Sequence, residues 1–334
     1  MTGGSGAVSV PGPDGVRDDR SGWSRRTIRA ARPDHPRPDA WSPIGHSWEW
    51  ERGTRVVRRR ALTVFLAGAE CPFTCLFCDL WKYTIDGPTP AGALPRQLAE
   101  SLTAAGEIPP GSALKLYNAS NFFDERAVPA ADHERLAALA RPFERITVEC
   151  HPRLVGDGAA RFSERLVGRL ELAMGLETCH PDVFPRLDKG MTLDDFETAV
   201  DRARERGLGT RVFVLVGLPW VPPSEFATWA ARTVAHAAGL GVDRVGLIPL
   251  RRGNGALDEL ARRGRLDPTS LEHLEQALER SLETSTDGPI VEADLWDVDR
   301  LPACPACREA RLARLRRMNL EQTSAPPVVC GCRP

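Results

Sequence analysis

Short apolar runs alternate with longer amphipathic stretches along most of the chain. The apolar runs, each of roughly nine residues or fewer, predict buried strands near 62–68, 114–118, 145–150, 170–176, 211–217 and 244–250. The stretches between them have helical periodicity and predict helices over 94–105, 131–140, 160–168, 193–206 and 224–239. This succession of strand–helix units predicts an α/β fold in which helices cover a parallel sheet. Periodicity alone leaves an open sheet and a barrel as alternatives.

The two ends of the chain depart from this alternation. Residues 1–42 are rich in Gly, Pro, Asp and Arg and have no apolar period, so they predict a disordered N-terminal tail. The core domain is then expected over residues 43–300, with a last strand at 289–294. Residues 301–334 form a small cysteine-containing C-terminal element.

The composition fits a globular protein and excludes several other classes. Of the 334 residues, 42% are hydrophobic and 27% are charged, and the net charge is −1. A collagenous or wholly disordered chain is excluded, and no apolar run approaches the ~20 residues of a transmembrane helix. Residues 1–40 lack the apolar stretch of an export signal, so we expect a cytoplasmic protein with no membrane association. In that reducing compartment, the nine cysteines predict metal ligands, catalytic residues or buried thiols.

The densest group of cysteines directly follows the first predicted strand and consists of Cys71, Cys75 and Cys78. Thiolates this close together can converge on one metal centre, and soft sulfur favours zinc or an iron–sulfur cluster. Three ligands are one fewer than a closed tetrahedral site needs, and an open coordination position is typical of reactive metals. The alternatives are three buried thiols, or a structural zinc site completed by Asp79 or a remote histidine.

The spacing C-x3-C-x2-C, with Phe77 as the aromatic residue before the last cysteine, resembles the signature of radical S-adenosylmethionine (SAM) enzymes. The resemblance covers residues 46 to about 255. Within that superfamily the chain is most similar to the branch of the Elongator catalytic subunit and the tRNA methylthiotransferases, and above all to the radical SAM subunit of archaeosine synthase. The resemblance implies a partial (β/α)6 TIM-like barrel. It also implies a [4Fe–4S] cluster on Cys71, Cys75 and Cys78, with SAM bound at the fourth iron.

The same resemblance implies SAM contacts at the carboxyl ends of the strands. The residues concerned are Phe77, Asn118, Ala119, Ser120, Glu149, Glu177 and Gly217. Small polar groups after the second strand would surround the SAM amino group, and backbone at the end of the fifth strand would line the adenine pocket. For each of the two glutamates, an ion pair with an arginine is the alternative.

Four further cysteines lie near the C-terminus, at Cys304, Cys307, Cys330 and Cys332. Residues 308–322 predict a helix of about 22 Å at ~1.5 Å per residue. The proline-containing segment after it is long enough to return to the start of that helix. The four thiols therefore predict a tetrahedral site for zinc or an auxiliary iron–sulfur cluster. Incidental thiols, or a metal bound by one pair, are the alternatives.

The resemblance implies reductive cleavage of SAM to a 5′-deoxyadenosyl radical that abstracts hydrogen from a substrate. It also implies a reductase or flavodoxin-type electron donor. The substrate stays open between a small metabolite and a modified tRNA base, with carbon–nitrogen bond cleavage of the archaeosine-synthase kind as one form of the latter. Two other functions are alternatives: a radical SAM methylthiotransferase, and a non-catalytic zinc protein that binds nucleic acid.

Overall fold

One curved sheet runs through the molecule. The computed structural model describes residues 22–53, 58–284 and 288–331. Eight strands lie side by side in the order in which they occur along the chain. They are β1 (Gly45–Glu51), β2 (Arg59–Phe65), β3 (Ala113–Tyr117), β4 (Arg145–Glu149), β5 (Arg169–Glu177), β6 (Gly209–Val216), β7 (Arg244–Pro249) and β8 (Ile290–Ala293). Strands β2 to β8 run parallel to their neighbours, whereas β1 pairs with β2 in the antiparallel direction.

Contacts across the concave face show how strongly the sheet curls. In a flat sheet β1 and β6 would lie roughly 24 Å apart, because neighbouring strands are separated by ~4.8 Å. Instead, the guanidinium of Arg211 in β6 lies 3.1 Å from the carboxylate of Glu51 in β1. The backbone N–H of Arg52, directly after β1, donates to Glu292 of β8 at 3.2 Å. The sheet is therefore a partial barrel, as expected, and no strand pairing closes β8 onto β1 within the described residues.

The apolar runs of the sequence match the parallel strands. The six runs predicted as strands correspond to β2–β7, and the predicted last strand at 289–294 contains β8. Strand β1 was not predicted, because all of its residues except Glu51 are exposed or half-buried and it contains no apolar run. The six strand–helix units are confirmed, and β1 adds an antiparallel strand at one edge.

Helices follow most of the strands. Within the described residues they are α1 (Arg25–Ala30), α2 (Ala93–Ala105), α3 (His133–Leu139), α4 (Asp157–Ser163), α5 (Leu193–Glu205), α6 (Phe226–Gly239), α7 (Ala256–Arg262), α8 (Leu271–Thr284) and α9 (Arg308–Glu321). Helix α5 begins with a capping box, in which the Thr192 and Asp195 side chains accept each other's backbone N–H. This box satisfies two N–H groups that a helix start leaves without partners. No helix of the described ranges is both long and apolar enough to cross a bilayer.

The two faces of the sheet differ because helices cover only one of them. Alternate strand residues such as Leu114, Val148 and Val212 are fully buried in the apolar core on the covered face. On the concave face, ion pairs join charged side chains from seven strands, namely Glu49, Glu51, Lys115, Arg145, Glu171, Arg211, Arg244 and Glu292. Arg145 and Arg244 are the first residues of their strands, so this network fills the amino-terminal part of the barrel.

The prediction of a disordered tail is wrong for residues 22–42. Helix α1 inserts Ile28 into the core, where the side chain is only 2% exposed. Arg32 donates to the carboxylate of Glu70 at 2.8 Å, immediately before the first cysteine of the loop after β2. These contacts order a segment whose composition, rich in Pro and Arg, otherwise predicts disorder. Residues 1–21 lie outside the described part of the chain.

Candidate active site

The loop after β2 carries the cysteine triplet, which consists of Cys71, Cys75 and Cys78. From the segment before α5, the carbonyl of Leu187 accepts the backbone N–H of Leu76 at 2.9 Å. From the segment before α7, the Asn254 amide donates to the carbonyls of Leu76 and Cys78 at 2.8 and 3.3 Å. The loop is thus held at the carboxyl ends of the strands from two directions.

Burial raises the pKa of all three thiols in the triplet. The pKa of Cys75 rises to about 12. That of Cys78 rises well above its usual value, first because of burial and then because of the neighbouring Cys75. For Cys71 burial again raises the pKa, although a hydrogen bond from Asn121 opposes the effect. Three thiolates at these positions are therefore unfavourable unless positive charge, such as that of a metal centre, compensates them.

The sulfurs of the triplet are more widely spread than a single metal ion requires. Around one tetrahedral zinc ion, thiolate sulfurs lie roughly 3.8 Å apart, because each Zn–S bond is ~2.3 Å long. Within the described residues, one group of three potential ligands has all of its ligand atoms within 4.8 Å of one another. The triplet does not form such a group. In a [4Fe–4S] cluster each thiolate binds a different iron, so a wider arrangement fits such a cluster.

Asn121 and His151 connect the triplet to the ends of β3 and β4. The Nδ2 atom of Asn121 donates to Sγ of Cys71 at 3.1 Å, and its Oδ1 accepts the backbone N–H of His151 at 2.5 Å. The His151 ring stacks on Phe73 at a centroid distance of 3.6 Å, and its Nε2 lies 3.0 Å from the Lys189 carbonyl. Burial lowers the pKa of His151 to about 3, so the ring is neutral at pH 7. Both residues position the loop that carries the cysteines.

Glu177 ends β5, and its carboxylate forms a buried ion pair. Lys189 Nζ donates to Glu177 Oε1 at 2.7 Å, and both side chains are less than 10% exposed. A β-bulge between Gly175 and Glu177 turns the glutamate toward the lysine. A Cβ atom on Gly175 would lie 1.9 Å from the Glu177 carboxylate and 2.5 Å from Lys189 Nζ, so a side chain there would displace the ion pair. The ion pair considered for this glutamate is therefore present, with a lysine in place of an arginine.

The ammonium group of Lys189 also lies near the triplet. Its Nζ is 5.6 Å from the centroid of the Phe77 ring. Burial alone would lower the pKa of Lys189, but the charges of Glu177 and Cys75 reverse this and raise it. Lys189 was not among the predicted site residues. The one feature of the sequence that could have drawn attention to Lys189 is that lysine is rare in this chain. Only three of the 44 basic residues are lysines.

Glu149 shapes the turn that follows β3. Its Oε2 accepts the backbone N–H of Asn118 at 2.8 Å. Burial raises the pKa of Glu149 to about 7, although hydrogen bonds from the backbone of residues 118–120 oppose this. At the centre of the turn, Ala119 has a φ of 54°, a left-handed conformation that is unusual for alanine. The carboxylate thus stabilises a turn whose backbone is strained.

The same turn presents polar atoms for which the described residues provide no partner. Both amide atoms of Asn118 and the hydroxyl of Ser120 are buried and make no hydrogen bond there. Buried polar groups are nearly always hydrogen-bonded, so unpartnered ones at a strand end fit a ligand. These are two of the residues expected to surround the SAM amino group.

Gly217 follows β6 and makes close contact with the loop before α8. Its φ is 95°, a conformation that favours glycine. A Cβ atom at this position would lie 1.8 Å from the hydroxyl oxygen of Thr269. That hydroxyl donates to the carbonyl of Val216 at 3.3 Å. The glycine is therefore required by packing against Thr269.

The C-terminal cysteines form a second group at the start of α9. The sulfurs of Cys304, Cys307 and Cys330, here called the C-terminal thiol group, all lie within 4.8 Å of one another. The predicted helix over 308–322 is present as α9, and the segment that follows it places Cys330 beside the start of that helix. Cys332, predicted as the fourth ligand, lies outside the described residues.

The donor set of the cysteine triplet fits an iron–sulfur cluster. It offers three half-buried thiols, whose sulfurs do not all lie within 4.8 Å of one another, and an N–H donor to sulfur from Asn121. The turn at Asn118 and Ser120 offers polar atoms to a second ligand beside it. Sequence reasoning missed Asn121, Lys189 and Asn254, because their roles depend on contacts between loops that are distant in the chain.

Comparisons with known proteins give matches among solved structures alone. No protein-family model matches the sequence, and no curated protein matches it. The chain is similar to Elp3 from the archaeon Methanocaldococcus infernus, with 14% identity and a TM-score of 0.43 over 59% of this chain and 50% of that one. It is also similar to the radical SAM methyltransferase TsrM from Kitasatospora setae, with 19% identity and a TM-score of 0.42 over 61% of this chain and 39% of that one. A third similar structure is coproporphyrinogen III oxidase (HemN) from Escherichia coli, a radical SAM enzyme, with 18% identity and a TM-score of 0.44 over 70% and 56%. The chain thus spans half the length of the Elp3 chain and less of TsrM.

Proposed function

We propose that this protein is a radical SAM enzyme whose cysteine triplet holds a [4Fe–4S] cluster. The observation that carries the proposal is the placement of three half-buried thiols in one loop at the carboxyl ends of the strands of a partial barrel, with sulfurs that do not all lie within 4.8 Å of one another. When bound, such a cluster supplies the electron that cleaves SAM into methionine and a 5′-deoxyadenosyl radical, which abstracts hydrogen from the substrate.

The residues around the triplet have distinct tasks in this proposal. Cys71, Cys75 and Cys78 ligate the cluster, and Asn254 fixes the carbonyls of their loop. Asn121 donates to the sulfur of Cys71 and so stabilises its thiolate. A thiolate that accepts such a hydrogen bond keeps the electron-rich cluster at a higher reduction potential.

We place SAM against the turn at residues 118–120. The unpartnered amide of Asn118 and the hydroxyl of Ser120 would hydrogen-bond its amino and carboxylate groups. Glu149 is a positioning residue, because its carboxylate already accepts an N–H of this turn. Glu177 is likewise a positioning residue through its ion pair with Lys189. In this placement the backbone next to Gly217 would contact the adenine of SAM.

The substrate belongs on the concave face, between the turn and the charged network. Tyr117 and Phe213 lie two residues beyond Lys115 and Arg211 on the same face of their strands. Their rings are 6.4 Å apart, and Phe65 links Tyr117 to Trp296 at centroid distances of 6.2 and 4.7 Å. This aromatic surface favours a flat, unsaturated group, which both a small metabolite and a modified tRNA base can offer. An electron donor of the reductase or flavodoxin type completes the proposed system.

The experiment that tests the proposal is SAM cleavage by the anaerobically reconstituted protein. With dithionite and SAM we expect formation of 5′-deoxyadenosine, reduced roughly 100-fold or more in Cys75→Ala because one cluster ligand is lost. Cys179→Ser is the matched control, since this half-buried thiol lies outside the triplet and hydrogen-bonds Thr233. Its iron content and nucleoside formation should equal those of the wild type.

Two other results would contradict the proposal. If Cys75→Ala forms the nucleoside as fast as the wild type, the triplet is not the site of SAM cleavage. Zinc without iron, together with no nucleoside, would favour the non-catalytic zinc protein. A methylthiotransferase would instead need a second iron–sulfur cluster in the C-terminal element, visible as about eight irons per chain.

A further inference from the structure

We propose that Cys304, Cys307 and Cys330 bind one structural zinc ion. This site is separate from the cysteine triplet and does not depend on the function proposed for it. Cys332, two residues after Cys330 in the sequence, lies outside the described residues and is not part of the proposed site.

The distances between the sulfurs point to a single ion. All three lie within 4.8 Å of one another, whereas tetrahedral zinc needs thiolate separations of roughly 3.8 Å. Thiolates that hold a [4Fe–4S] cluster each bind a different iron and lie farther apart, so the compact group favours zinc over an auxiliary cluster.

The backbone around the first two cysteines forms a turn that opens a helix. The N–H groups of Cys307 and Arg308 donate to the carbonyl of Cys304 at 3.2 and 3.1 Å. Cys307 is the residue before α9, so its sulfur lies at the helix end where the N–H dipoles favour negative charge. The C-x2-C turn thus presents two thiolates on one side.

A buried arginine stabilises the negative charge of these thiolates. Nε of Arg311 donates to Sγ of Cys307 at 3.3 Å. The same guanidinium hydrogen-bonds Glu275 and lies 3.3 Å from Glu272, both on α8. Hydrogen bonds of this kind to the residues that ligate a metal fix the orientation of those residues and strengthen metal binding. Arg311 therefore couples the proposed zinc site to α8.

The site connects three segments that are distant in the chain. The Pro302 carbonyl accepts the backbone N–H of Leu271 at the start of α8. Arg314 of α9 donates to the carbonyl of Ala325 in the return segment at 2.6 Å. Beside Cys304 and Cys307 lies a cavity of about 230 Å³ that also borders Ser270. An ion here would fasten the C-terminal segment to the start of α9, which the hydrogen bond between Pro302 and Leu271 joins to the start of α8.

The test measures metals and a spectrum, so its outcome does not depend on catalytic activity. Purified wild-type protein should contain one zinc per chain in addition to reconstituted iron. Cobalt(II) in place of zinc should give the visible absorption and sulfur-to-metal charge-transfer bands of a tetrahedral thiolate site. Cys330→Ser should lose at least about nine-tenths of the zinc and lower the Tm by roughly 5 °C or more.

Matched variants keep this proposal distinct from the proposed function. Cys75→Ala should lose iron and keep zinc, while Cys179→Ser should keep both. Should Cys330→Ser fail to fold, the wild-type zinc content and the cobalt spectrum still decide the matter. About eight irons and no zinc in the wild type would overturn the proposal in favour of an auxiliary cluster. Metal-free protein with a disulfide among these cysteines would overturn it as well.

Discussion

In the C-terminal thiol group, the sulfurs of Cys304, Cys307 and Cys330 all lie within 4.8 Å of one another, whereas those of the cysteine triplet are spread more widely. Both groups have short spacings in the sequence, C-x2-C in one and C-x3-C-x2-C in the other. The C-terminal pair lies in a turn that opens a helix, while the triplet lies in a loop tied to two other strand ends. Cysteine spacing in the sequence therefore predicts that the thiols come together. The backbone that holds them determines how far apart the sulfurs lie, and so whether they suit one ion or a cluster.

The two groups share one electrostatic arrangement. Lys189 lies near the triplet and is paired with Glu177, and Arg311 donates to Cys307 and is paired with Glu275. Each cation is at most 11% exposed, and each glutamate is at most 6% exposed. In both groups a buried cation lies where it can offset the negative charge of thiolates. In both groups a buried carboxylate forms an ion pair with that cation. The comparison identifies the glutamates as positioning residues.

Removing the cation beside the triplet should have the largest effect on stability. Lys189→Met leaves the buried Glu177 carboxylate without its partner, which we expect to lower the free energy of unfolding by about 3–5 kcal/mol. Urea unfolding of the protein without cluster measures this. The double variant Lys189→Met, Glu177→Gln should recover much of the loss. Lys82→Met is the control, because the 3.5 Å pair of Lys82 with the half-exposed Asp79 contributes at most about 1 kcal/mol. Equal losses in the two lysine variants would show that the buried pair has no special role.

The pH dependence of stability should reveal Glu149. Its pKa is raised from 4.5 to about 7, so the folded protein binds this proton more tightly than the unfolded chain. The resulting stabilisation is fully present below pH 4.5 and is lost as the pH rises through 7, which amounts to about 3 kcal/mol. Glu149→Gln should remove this decline between pH 4.5 and 7, as followed by urea unfolding. Glu100→Gln, on the exposed surface of α2, should retain it. An unchanged pH profile in Glu149→Gln would contradict the buried-acid interpretation.

Loosening the triplet loop should have a smaller effect. Asn254→Ala removes two hydrogen bonds to carbonyls of that loop and one accepted from the N–H of Leu257. We expect a loss of about 1–3 kcal/mol in the free energy of unfolding and faster release of iron to a chelator. The zinc content should stay that of the wild type, because the C-terminal thiol group is held by other contacts. Loss of zinc together with iron would contradict the independence of the two groups.

The smallest effect should come from a single donor to sulfur. Asn121→Leu removes the N–H that reaches Cys71 Sγ at 3.1 Å and leaves the cysteine in place. A cluster with fewer hydrogen bonds to its sulfurs is reduced at a more negative potential, so the midpoint measured in a redox titration should fall. Iron content should remain near that of the wild type. A potential that does not change would show that Asn121 acts only through its hydrogen bond with the His151 backbone.

The strands were predictable because burial on the helix-covered face produces apolar runs that a single sequence displays. Strand β1 was not, since most of its residues are exposed or half-buried and only Glu51 is buried, by ion pairs with distant strands. The order of residues 22–42 was missed for a similar reason. Arginines such as Arg32 fold onto Glu70 there, and composition does not show which carboxylate a cation will meet.

The site was predictable to the extent that its chemistry lies in one short segment. Three cysteines in eight residues indicate a metal centre without further information. The Glu177–Lys189 pair bridges twelve positions through a β-bulge, and Asn254 reaches back across most of the chain to Leu76. Such contacts depend on the curvature of the sheet, which the periodicity of the sequence does not specify.

The most direct measurement is the iron and zinc content of one anaerobically reconstituted sample, with 5′-deoxyadenosine followed after SAM and dithionite are added. The account predicts about four irons and one zinc per chain, with nucleoside formed only when both SAM and reductant are present. Zinc alone, without iron or nucleoside, would contradict the assignment of a cluster to Cys71, Cys75 and Cys78.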